Sequence, residues 1–303
     1  MLKCASNLTI DIPLSLAGPA LATTLAYLNA RYSLFYDAKI FHGLFKSIIK
    51  SRLALRRDNL NLFHILENHA LDPTSKDRPF VVYNGRTWTF HETYMLALRY
   101  GTWFKRVHGI KPREIVALNM MNSSTFIFIW LGLWSIGAVP AFINYNLTGK
   151  PLTHSVRTST ARLLIVDEDV RSSFGPDEMS AFSAPDFRED GGAMEVIFHT
   201  PDIEAQILQT EAIREDDKVR GGVELRDMAI LIYTSGTTGL PKPAIVSWRK
   251  CWAGSVFVST FIELAKQDRV FTVCEVSLRC LCVTNMKSSA CPFTIRPRPS
   301  WDS

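Results

Sequence analysis

The fold class is decided by three consecutive runs of sequence: EIVALNM (114–120), STFIFIWLGLWSIGA (124–138) and AVPAFINY (138–145). The first and third are short apolar runs typical of buried strands, and the second is apolar on nearly all faces at helical length. A helix between two buried strands implies a crossover connection, and crossovers build parallel sheets covered on both faces. Residues 125–143 carry no charge, but Gly137 and Pro140 divide them, which favours a buried helix and strand over a membrane span. The sequence therefore predicts an α/β fold with mainly parallel sheets covered by helices.

The same alternation continues on both sides of this region. NLFHILENHA (61–70), with Asn59 as a candidate cap, and TYMLALRYGTWFKRV (93–107) have helical patterns. PFVVYNGRTWTF (79–90) predicts two strands around Asn84-Gly85, because Asn-Gly is a strong signal for a type I′ hairpin turn. RLLIVD (162–167) predicts another buried strand. The polar stretch 167–226 predicts surface loops around one short strand, MEVIF (194–198).

Composition limits the class of protein. The chain has 303 residues, 47% of them hydrophobic, and a net charge of +5. This excludes a disordered chain, a collagen-like fibre and a disulfide-rich miniprotein. Residues 1–57 hold eight basic and two acidic residues, so the positive charge belongs to one end. The rest of the chain shows no basic stripe with interleaved aromatic residues, so nucleic acid is not expected as a partner.

The basic end contains two distinctive segments. IPLSLAGPALATTLAYLNA (12–30) is uncharged and is interpreted as a membrane anchor, a signal peptide or a buried helix. KIFHGLFKSIIKSRLALRR (39–57) has six basic residues and no acidic one, with apolar residues at helical spacing. Such a helix either lies on anionic lipid or packs on the domain with a solvated charged face. We therefore expect an N-terminal membrane-associated helix, with membrane lipid as a partner and the rest of the chain on the cytosolic side.

A candidate binding motif lies in MAILIYTSGTTGLPKPAIVSW (228–248). An apolar strand leads into a turn rich in glycine and small hydroxyl residues, followed by a lysine. Glycine lets successive backbone N–H groups turn inward around an anion, hydroxyls donate further hydrogen bonds, and the lysine adds a positive charge. These properties suit a polyphosphate. The spacing differs from that of the G-x-x-x-x-G-K-[ST] phosphate loop, so a kinase or GTPase does not follow.

The string Tyr233-Thr-Ser-Gly-Thr-Thr-Gly-Leu-Pro-Lys242 resembles the phosphate-binding signature of the adenylate-forming (AMP-binding) enzymes. With residues 126–156, it is similar to the very long-chain acyl-CoA synthetases, also called fatty acid transport proteins. The resemblance covers about residues 30 to 272 and implies the N-terminal part of the adenylate-forming fold. It also implies ATP, Mg²⁺ and CoA as cofactors and a fatty acid as the substrate, activated through an acyl-adenylate. By this resemblance the β- and γ-phosphates would be wrapped by Thr234, Ser235, Gly236, Thr237, Thr238, Gly239 and Lys242.

The resemblance stops near Thr272, and the stretch that follows has a different composition, with four of the six cysteines in the last 30 residues. We therefore predict three parts: a membrane-anchor and basic amphipathic segment (1–57), a partial AMP-binding domain (58–272) and a disordered tail foreign to the family (273–303). The family's Mg²⁺ and CoA sites and its catalytic lysine fall beyond the break. No catalytic or metal-binding residue is assigned, and the truncated chain is expected not to complete adenylation.

Two other functions stay open. One is a non-catalytic, membrane-tethered fragment that binds lipid or a full-length synthetase. The other is a soluble nucleotide-binding module, which requires residues 12–57 to be dispensable. The sequence does not choose among endoplasmic reticulum, peroxisome, lipid droplet and plasma membrane, and it does not give the acyl chain length.

Overall fold

The structure, a computed structural model, describes residues 14–234, 239–265, 268, 270–272 and 293–295. Its helices in this part of the chain are α1 (Leu14–Tyr32), α2 (Leu34–Arg56), α3 (Phe63–Leu71), α4 (Phe90–His108), α5 (Ser124–Ser135), α6 (Gly149–Thr158), α7 (Pro176–Ser183), α8 (Pro201–Gln209) and α9 (Trp248–Phe261). Its strands are β1 (Pro79–Tyr83), β2 (Arg86–Thr89), β3 (Ile115–Asn119), β4 (Val139–Phe142), β5 (Leu163–Asp167), β6 (Glu195–His199), β7 (Met228–Thr234), β8 (Lys242–Ser247), β9 (Val270–Thr272) and β10 (Phe293–Ile295).

The main sheet has six strands in the order β6-β5-β3-β4-β7-β8. The first five run parallel, and β8 pairs antiparallel with β7 at one end of the sheet. A hydrophobic cluster that includes α4 and α5 covers one face, and a second cluster with residues of α6 and α7 covers the other. The predicted α/β fold with a mainly parallel, covered sheet is confirmed.

A smaller four-stranded sheet has the order β2-β1-β10-β9. Its β1–β2 hairpin turns at Asn84 (φ 49°) and Gly85 (φ 75°), both in the left-handed region that a type I′ turn requires. The hairpin prediction from Asn-Gly is therefore confirmed. Directly after β2, Thr89 caps α4: its hydroxyl accepts from the Glu92 backbone, and the Glu92 carboxylate accepts from the Thr89 N–H. This capping box starts α4 three residues earlier than its apolar pattern predicts.

Helices α4 and α5 cross at two glycines. A Cβ atom on Gly132 would lie 2.7 Å from the Cβ of Tyr100, and one on Gly101 would lie 2.8 Å from the Gly132 carbonyl oxygen. The missing side chains let the two backbones approach closely and bring the apolar side chains of α5 into the core. The all-round apolar pattern of α5 is thus explained by burial on every side.

The region 167–226 contains more helix than its polar composition predicts. Short 3₁₀ helices at Glu168–Ser173 and Asp217–Val219, together with α7 and α8, flank β6. Both α7 and α8 begin at a proline, which suits the first helical turn. Asn59 does not cap α3. Instead, Oδ1 of Asn61 accepts from the Phe63 N–H at 2.9 Å, because the helix starts two residues later than predicted.

The N-terminal segments form α1 and α2. No helix among the described residues is long and apolar enough to cross a membrane. The interpretation of residues 12–30 as a buried helix is wrong for the side chains that the structure describes, since most of those on α1 are exposed.

Helix α2 packs on α9 through a small-residue face of Gly43, Ser47, Ser51 and Ala54. The apolar residues that suggested the helix lie elsewhere. Phe41 is 69% exposed and Phe45 is 65% exposed, and Leu44, Ile48, Ile49 and Leu53 are exposed as well. Helix α2 therefore packs on the domain, as one of the two alternatives states, but it does so through small residues and not through its apolar stripe.

The three-part division stays a prediction. Of the stretch 273–303, the structure describes only β10, which pairs parallel with both β1 and β9. The predicted disorder of the rest of this stretch lies outside the described residues.

Candidate functional site: a turn between two strands

The candidate phosphate turn, residues 234–242, connects β7 to β8. Thr234 is the last residue of β7 and Lys242 is the first of β8, and the two are direct partners in the antiparallel register. The Thr234 hydroxyl also donates to the Lys242 carbonyl oxygen at 3.4 Å. The two ends of the turn are therefore held together by the sheet, with both side chains exposed to solvent.

Four of the seven predicted phosphate-binding residues, Ser235, Gly236, Thr237 and Thr238, lie outside the described residues. The other three are placed. Gly239 has φ +84°, a conformation that favours glycine. Apart from its chain neighbours, no atom of the described residues lies within 4 Å of the position that a Cβ would take.

The donor set of the turn fits a phosphate group. Residues 234–242 carry hydroxyl, backbone amide and ammonium groups and no carboxylate. Such groups donate hydrogen bonds to anionic oxygens, whereas Mg²⁺ requires oxygen ligands such as carboxylates. The turn thus suits a phosphate group, and it holds no carboxylate for Mg²⁺.

Tyr233 fixes β7 to the neighbouring helix α6. Its hydroxyl donates to the Ser155 carbonyl oxygen at 2.7 Å and lies 3.3 Å from the hydroxyl of Thr158. Burial raises the pKa of Tyr233 to about 12, so the phenol stays protonated and keeps donating at neutral pH. Tyr233 thus has a structural role in β7, one residue before the strand ends at Thr234.

A second group of polar residues lies along the same edge of the sheet. Asp167 ends β5, His199 ends β6, and the two are register partners. Tyr100 of α4 places its hydroxyl 3.1 Å from Nε2 of His199. Burial raises the pKa of Asp167 and lowers that of His199. Both residues are therefore shifted toward their neutral forms by the same cause.

This group is separate from the phosphate turn. Three strand spacings lie between β5 and β7, which places Asp167 about 14 Å from the strand that carries Thr234. Sequence reasoning did not identify this group. The available signal was the position of the two residues in the sequence. Asp167 closes the predicted strand RLLIVD, and His199 directly follows the predicted strand MEVIF. Polar residues at the carboxyl ends of parallel strands meet at one edge of the sheet.

A third cluster, formed by His64, Glu67 and Asp217, brings three metal-ligand atoms within 4.8 Å of one another. Its carboxylates are already engaged by arginines. Arg214 donates from Nε to Glu67 at 2.8 Å and from Nη2 to Asp217 at 2.6 Å, and Arg220 donates to Asp217 at 2.7 Å. Two guanidinium groups repel a cation, so this cluster is a partly buried ion-pair network that joins α3 to the loop before β7.

Comparison with known proteins agrees with this architecture. Residues 67–286 match the family model described as AMP-binding enzyme. Among curated proteins, the chain is 35% identical over 189 residues to the very long-chain fatty acid transport protein of Saccharomyces cerevisiae, covering 61% of this chain and 28% of that protein. It is 28% identical over 268 residues to the protein of the same name from Cochliobolus heterostrophus, covering 86% of this chain and 40% of that protein. The chain thus spans less than half the length of these relatives.

Solved structures show the same fold. The Mycobacterium tuberculosis fatty acyl CoA synthetase superposes with a TM-score of 0.62 at 18% identity, covering 81% of this chain and 46% of that one. A benzoate CoA ligase from Burkholderia xenovorans superposes with a TM-score of 0.61 at 16% identity, covering 78% and 45%. At these identities the likeness concerns the fold.

Proposed function

Since this chain belongs to the AMP-binding enzyme family, we propose that residues 234–242 bind the β- and γ-phosphates of ATP during the activation of a fatty acid. In this reaction a carboxylate oxygen of the fatty acid attacks the α-phosphorus, the bond to the β-phosphate oxygen breaks, and acyl-adenylate and pyrophosphate form. CoA thiol then displaces AMP. The very long-chain transport proteins to which the chain is similar support a long-chain fatty acid as the substrate class.

The observation that carries this proposal is the pairing of Thr234 with Lys242. The sheet register fixes the two ends of the turn, so an ammonium group and a hydroxyl lie at the mouth of one short, glycine-containing segment. Groups that are already in place bind a developing negative charge without a further ordering cost.

We further propose that this chain by itself does not complete adenylation. Mg²⁺ would supply charge neutralisation of the phosphates when bound, but the turn holds no carboxylate to bind it. The chain also spans 28% and 40% of the two fungal relatives. Positioning of the fatty acid carboxylate against the α-phosphate provides much of the rate acceleration in this reaction. None of the described residues is assigned to this positioning.

Two measurements on the purified chain test these statements. Isothermal titration with ATP, ADP and AMP is expected to show affinity falling in that order, because each lost phosphate removes contacts with the turn. Fatty-acid-dependent exchange of pyrophosphate into ATP is expected to stay at background. Equal affinity for ATP and AMP contradicts phosphate binding by the turn, and exchange above background contradicts the inability to complete adenylation.

The exposed face of α2 supports a second role, attachment to a membrane. Phe41, Phe45 and Ile49 are exposed together on α2, which carries five basic residues and one acidic residue, Asp37, and is followed directly by Arg57. An apolar face flanked by cations is the pattern of a helix that lies in the interface of an anionic bilayer. We propose that α2 is such a membrane-associated helix and that the nucleotide-binding part faces the cytosol, at the endoplasmic reticulum, peroxisome, lipid droplet or plasma membrane.

Flotation with phosphatidylserine vesicles tests the membrane role. The double variant Phe41→Ser/Phe45→Ser is expected to bind vesicles at least tenfold more weakly than the parent, because two large apolar side chains no longer enter the bilayer. The variant Leu71→Ser/Val107→Ser also removes two exposed apolar side chains, but from other elements, and is expected to bind like the parent. Equal losses in both variants contradict the assignment to α2.

The alternative function, a non-catalytic fragment tethered to a membrane, makes a different prediction. Such a chain co-purifies with a full-length synthetase in the absence of ATP and shows no preference among ATP, ADP and AMP. The division into residues 1–57, 58–272 and 273–303 stays part of this proposal. Limited proteolysis is expected to cut near residues 57 and 272 first.

A further inference from the structure

A cavity of about 300 Å³ lies where the carboxyl end of α2 meets α3 and α9. Lys50, Leu53, Ala54 and Arg57 form one wall. Their spacing of three, four and seven residues places them along one face of the helix, and Arg57 directly follows its end. Ile65 of α3 and Trp252 of α9 line the opposite side. The cavity therefore has cations along one wall and apolar side chains beneath them.

His64 also lines this cavity, and it is buried. Its Nδ1 lies 3.6 Å from Oε2 of Glu67, while its Nε2 is buried with no hydrogen-bond partner among the described residues. Burying a polar atom without a partner costs free energy, so an occupant that bonds to Nε2 would be stabilised there. With Nδ1 directed at the Glu67 carboxylate, Nε2 is the ring atom left for an occupant of the cavity.

The charges at the rim indicate an anionic occupant. Arg57 is exposed, and its guanidinium group makes no ion pair or hydrogen bond within the described part of the chain. Lys50 lies two helical turns earlier on the same face. Asn59 and Asn68 are exposed at the rim and offer amide donors. Two cations, two amides and one imidazole suit a phosphate group, which accepts several hydrogen bonds at once.

The apolar surroundings indicate where this phosphate comes from. Leu53 in the cavity wall is 44% exposed and continues into the exposed apolar face of α2 at Ile49. A phosphate ester in the cavity would therefore have the bilayer beside it if α2 lies on a membrane, as proposed above. We propose that this cavity binds the phosphate headgroup of an anionic membrane phospholipid. A phosphate oxygen in the cavity would then be the hydrogen-bond partner that Nε2 of His64 lacks among the described residues.

The helix offers a matched pair of variants for the test. Lys50→Gln/Arg57→Gln removes two charges from the cavity, and Arg52→Gln/Arg56→Gln removes two charges from the same stretch of α2 outside it. The full chain is floated with phosphatidylcholine vesicles that contain phosphatidic acid or phosphatidylserine at matched surface potential. The cavity variant is expected to bind the phosphatidic acid vesicles about tenfold more weakly than the matched variant. Equal losses in the two variants would show a diffuse electrostatic surface and overturn the site.

A second measurement separates the cavity from the membrane face. Monomeric dihexanoyl phosphatidic acid is added to the chain labelled with ¹⁵N-histidine, and the His64 signal, assigned with His64→Gln, is expected to shift. A shift in a chain that fails to bind vesicles would retain the cavity site and reject the membrane role of α2.

Glycerol 3-phosphate serves as the soluble comparison. If glycerol 3-phosphate binds as tightly as the short-chain lipid, the cavity is a site for free phosphate esters and the lipid proposal is overturned. An unshifted His64 signal with the short-chain lipid also overturns the lipid proposal.

Discussion

Thr234 and Lys242 are register partners across β7 and β8, and the hydroxyl of Thr234 donates to the carbonyl oxygen of Lys242. The backbone of Lys242 therefore belongs to the sheet, while its exposed ammonium group is free of the core. Lys242 therefore closes the hairpin with its backbone and presents a positive charge at the mouth of the turn with its side chain. It also means that the side chain can be changed without removing a backbone hydrogen bond.

Lys242→Ala is expected to weaken ATP binding about tenfold or more, because a charged donor to phosphate is worth roughly 1.5 to 3 kcal/mol. AMP binding is expected to change little, since AMP lacks the β- and γ-phosphates. Isothermal titration with both nucleotides measures the difference.

Lys76→Ala is the control for this change, since Lys76 is an exposed lysine in the loop before β1. It is expected to leave both affinities as they are. A parallel loss for ATP and AMP in Lys242→Ala would argue against a contact with the terminal phosphates.

Gly239→Ala tests the backbone of the turn. No atom of the described residues would clash with the added methyl group, so the expected effect comes from the left-handed conformation at φ +84°, which costs a residue with a side chain roughly 1 to 2 kcal/mol. We expect ATP affinity to fall about tenfold, with a change of only a few degrees in melting temperature. An unchanged affinity would show that this conformation is not required for binding.

The crossing of α4 and α5 gives a prediction about stability. Gly132→Ala is expected to destabilise the fold by about 1 to 3 kcal/mol, because the new methyl group meets the Cβ of Tyr100 at 2.7 Å in a packed core. Urea denaturation measures this change.

Gly254→Ala on α9 is the matched helical control. No atom lies within 4 Å of the added methyl group, so the better helix propensity of alanine is expected to stabilise the protein by about 0.5 to 1 kcal/mol. If the two variants shift the free energy of unfolding in the same direction, the result contradicts the claim that Gly132 is needed for the close approach of α4 and α5.

The carboxylate of Glu67 gives a prediction about how the free energy of unfolding depends on pH. Burial by itself would raise the pKa of Glu67, but hydrogen bonds from His64 and Arg214 and the charge of Arg220 lower it to about 2. The folded pKa is below the ordinary value of 4.5, so the carboxylate contributes stability above pH 4.5, and this contribution disappears as the pH falls toward 2. The shift corresponds to about 3 kcal/mol.

We therefore expect Glu67→Gln to be less stable than the parent at pH 7 in urea denaturation, with the difference shrinking by about 3 kcal/mol between pH 5 and pH 2. Glu168→Gln removes an exposed carboxylate paired with Arg171 and is expected to show only a small difference at any pH. A difference that stays constant with pH in Glu67→Gln would mean that its carboxylate is not ionised in the native network.

His199 gives a separate pH prediction. Burial lowers its pKa below the ordinary 6.5, although Glu204 and Asp167 oppose the shift. Because protonation is harder in the folded than in the unfolded state, stability is expected to decrease as the pH falls below 6.5. Proton NMR of the His199 ring should give a midpoint under 6.5, and a midpoint above that value would contradict the dominance of burial.

The sequence predicted the strands of the main sheet well because each is a short apolar run with clear ends. EIVALNM, AVPAFINY and RLLIVD contain β3, β4 and β5 with errors of a few residues at most. Asn84-Gly85 fixed the hairpin because few other residue pairs adopt two consecutive positive φ angles. The turn between β7 and β8 was located for a similar reason, since the local sequence alone demands the bend.

Other features depended on contacts that a linear pattern does not contain. The buried face of α2 is made of glycine, serine and alanine, because close approach to α9 selects for small side chains there. Its large apolar residues remain outside, so hydrophobic periodicity identified the helix but not the face that packs. Likewise, Asp167 and His199 are 32 positions apart and become neighbours only through the pairing of β5 with β6.

The position of β8 has a consequence for how the protein behaves in concentrated solution. Among the described strands it lies at the end of the six-stranded sheet, so no described strand pairs with its outer row of backbone groups. Lys242 and Pro243 begin this strand, and a charged side chain followed by a residue without an N–H discourages such pairing. Lys242 thus protects against self-association as well, and removing its charge for a binding assay should be accompanied by light scattering to detect filament growth from this edge.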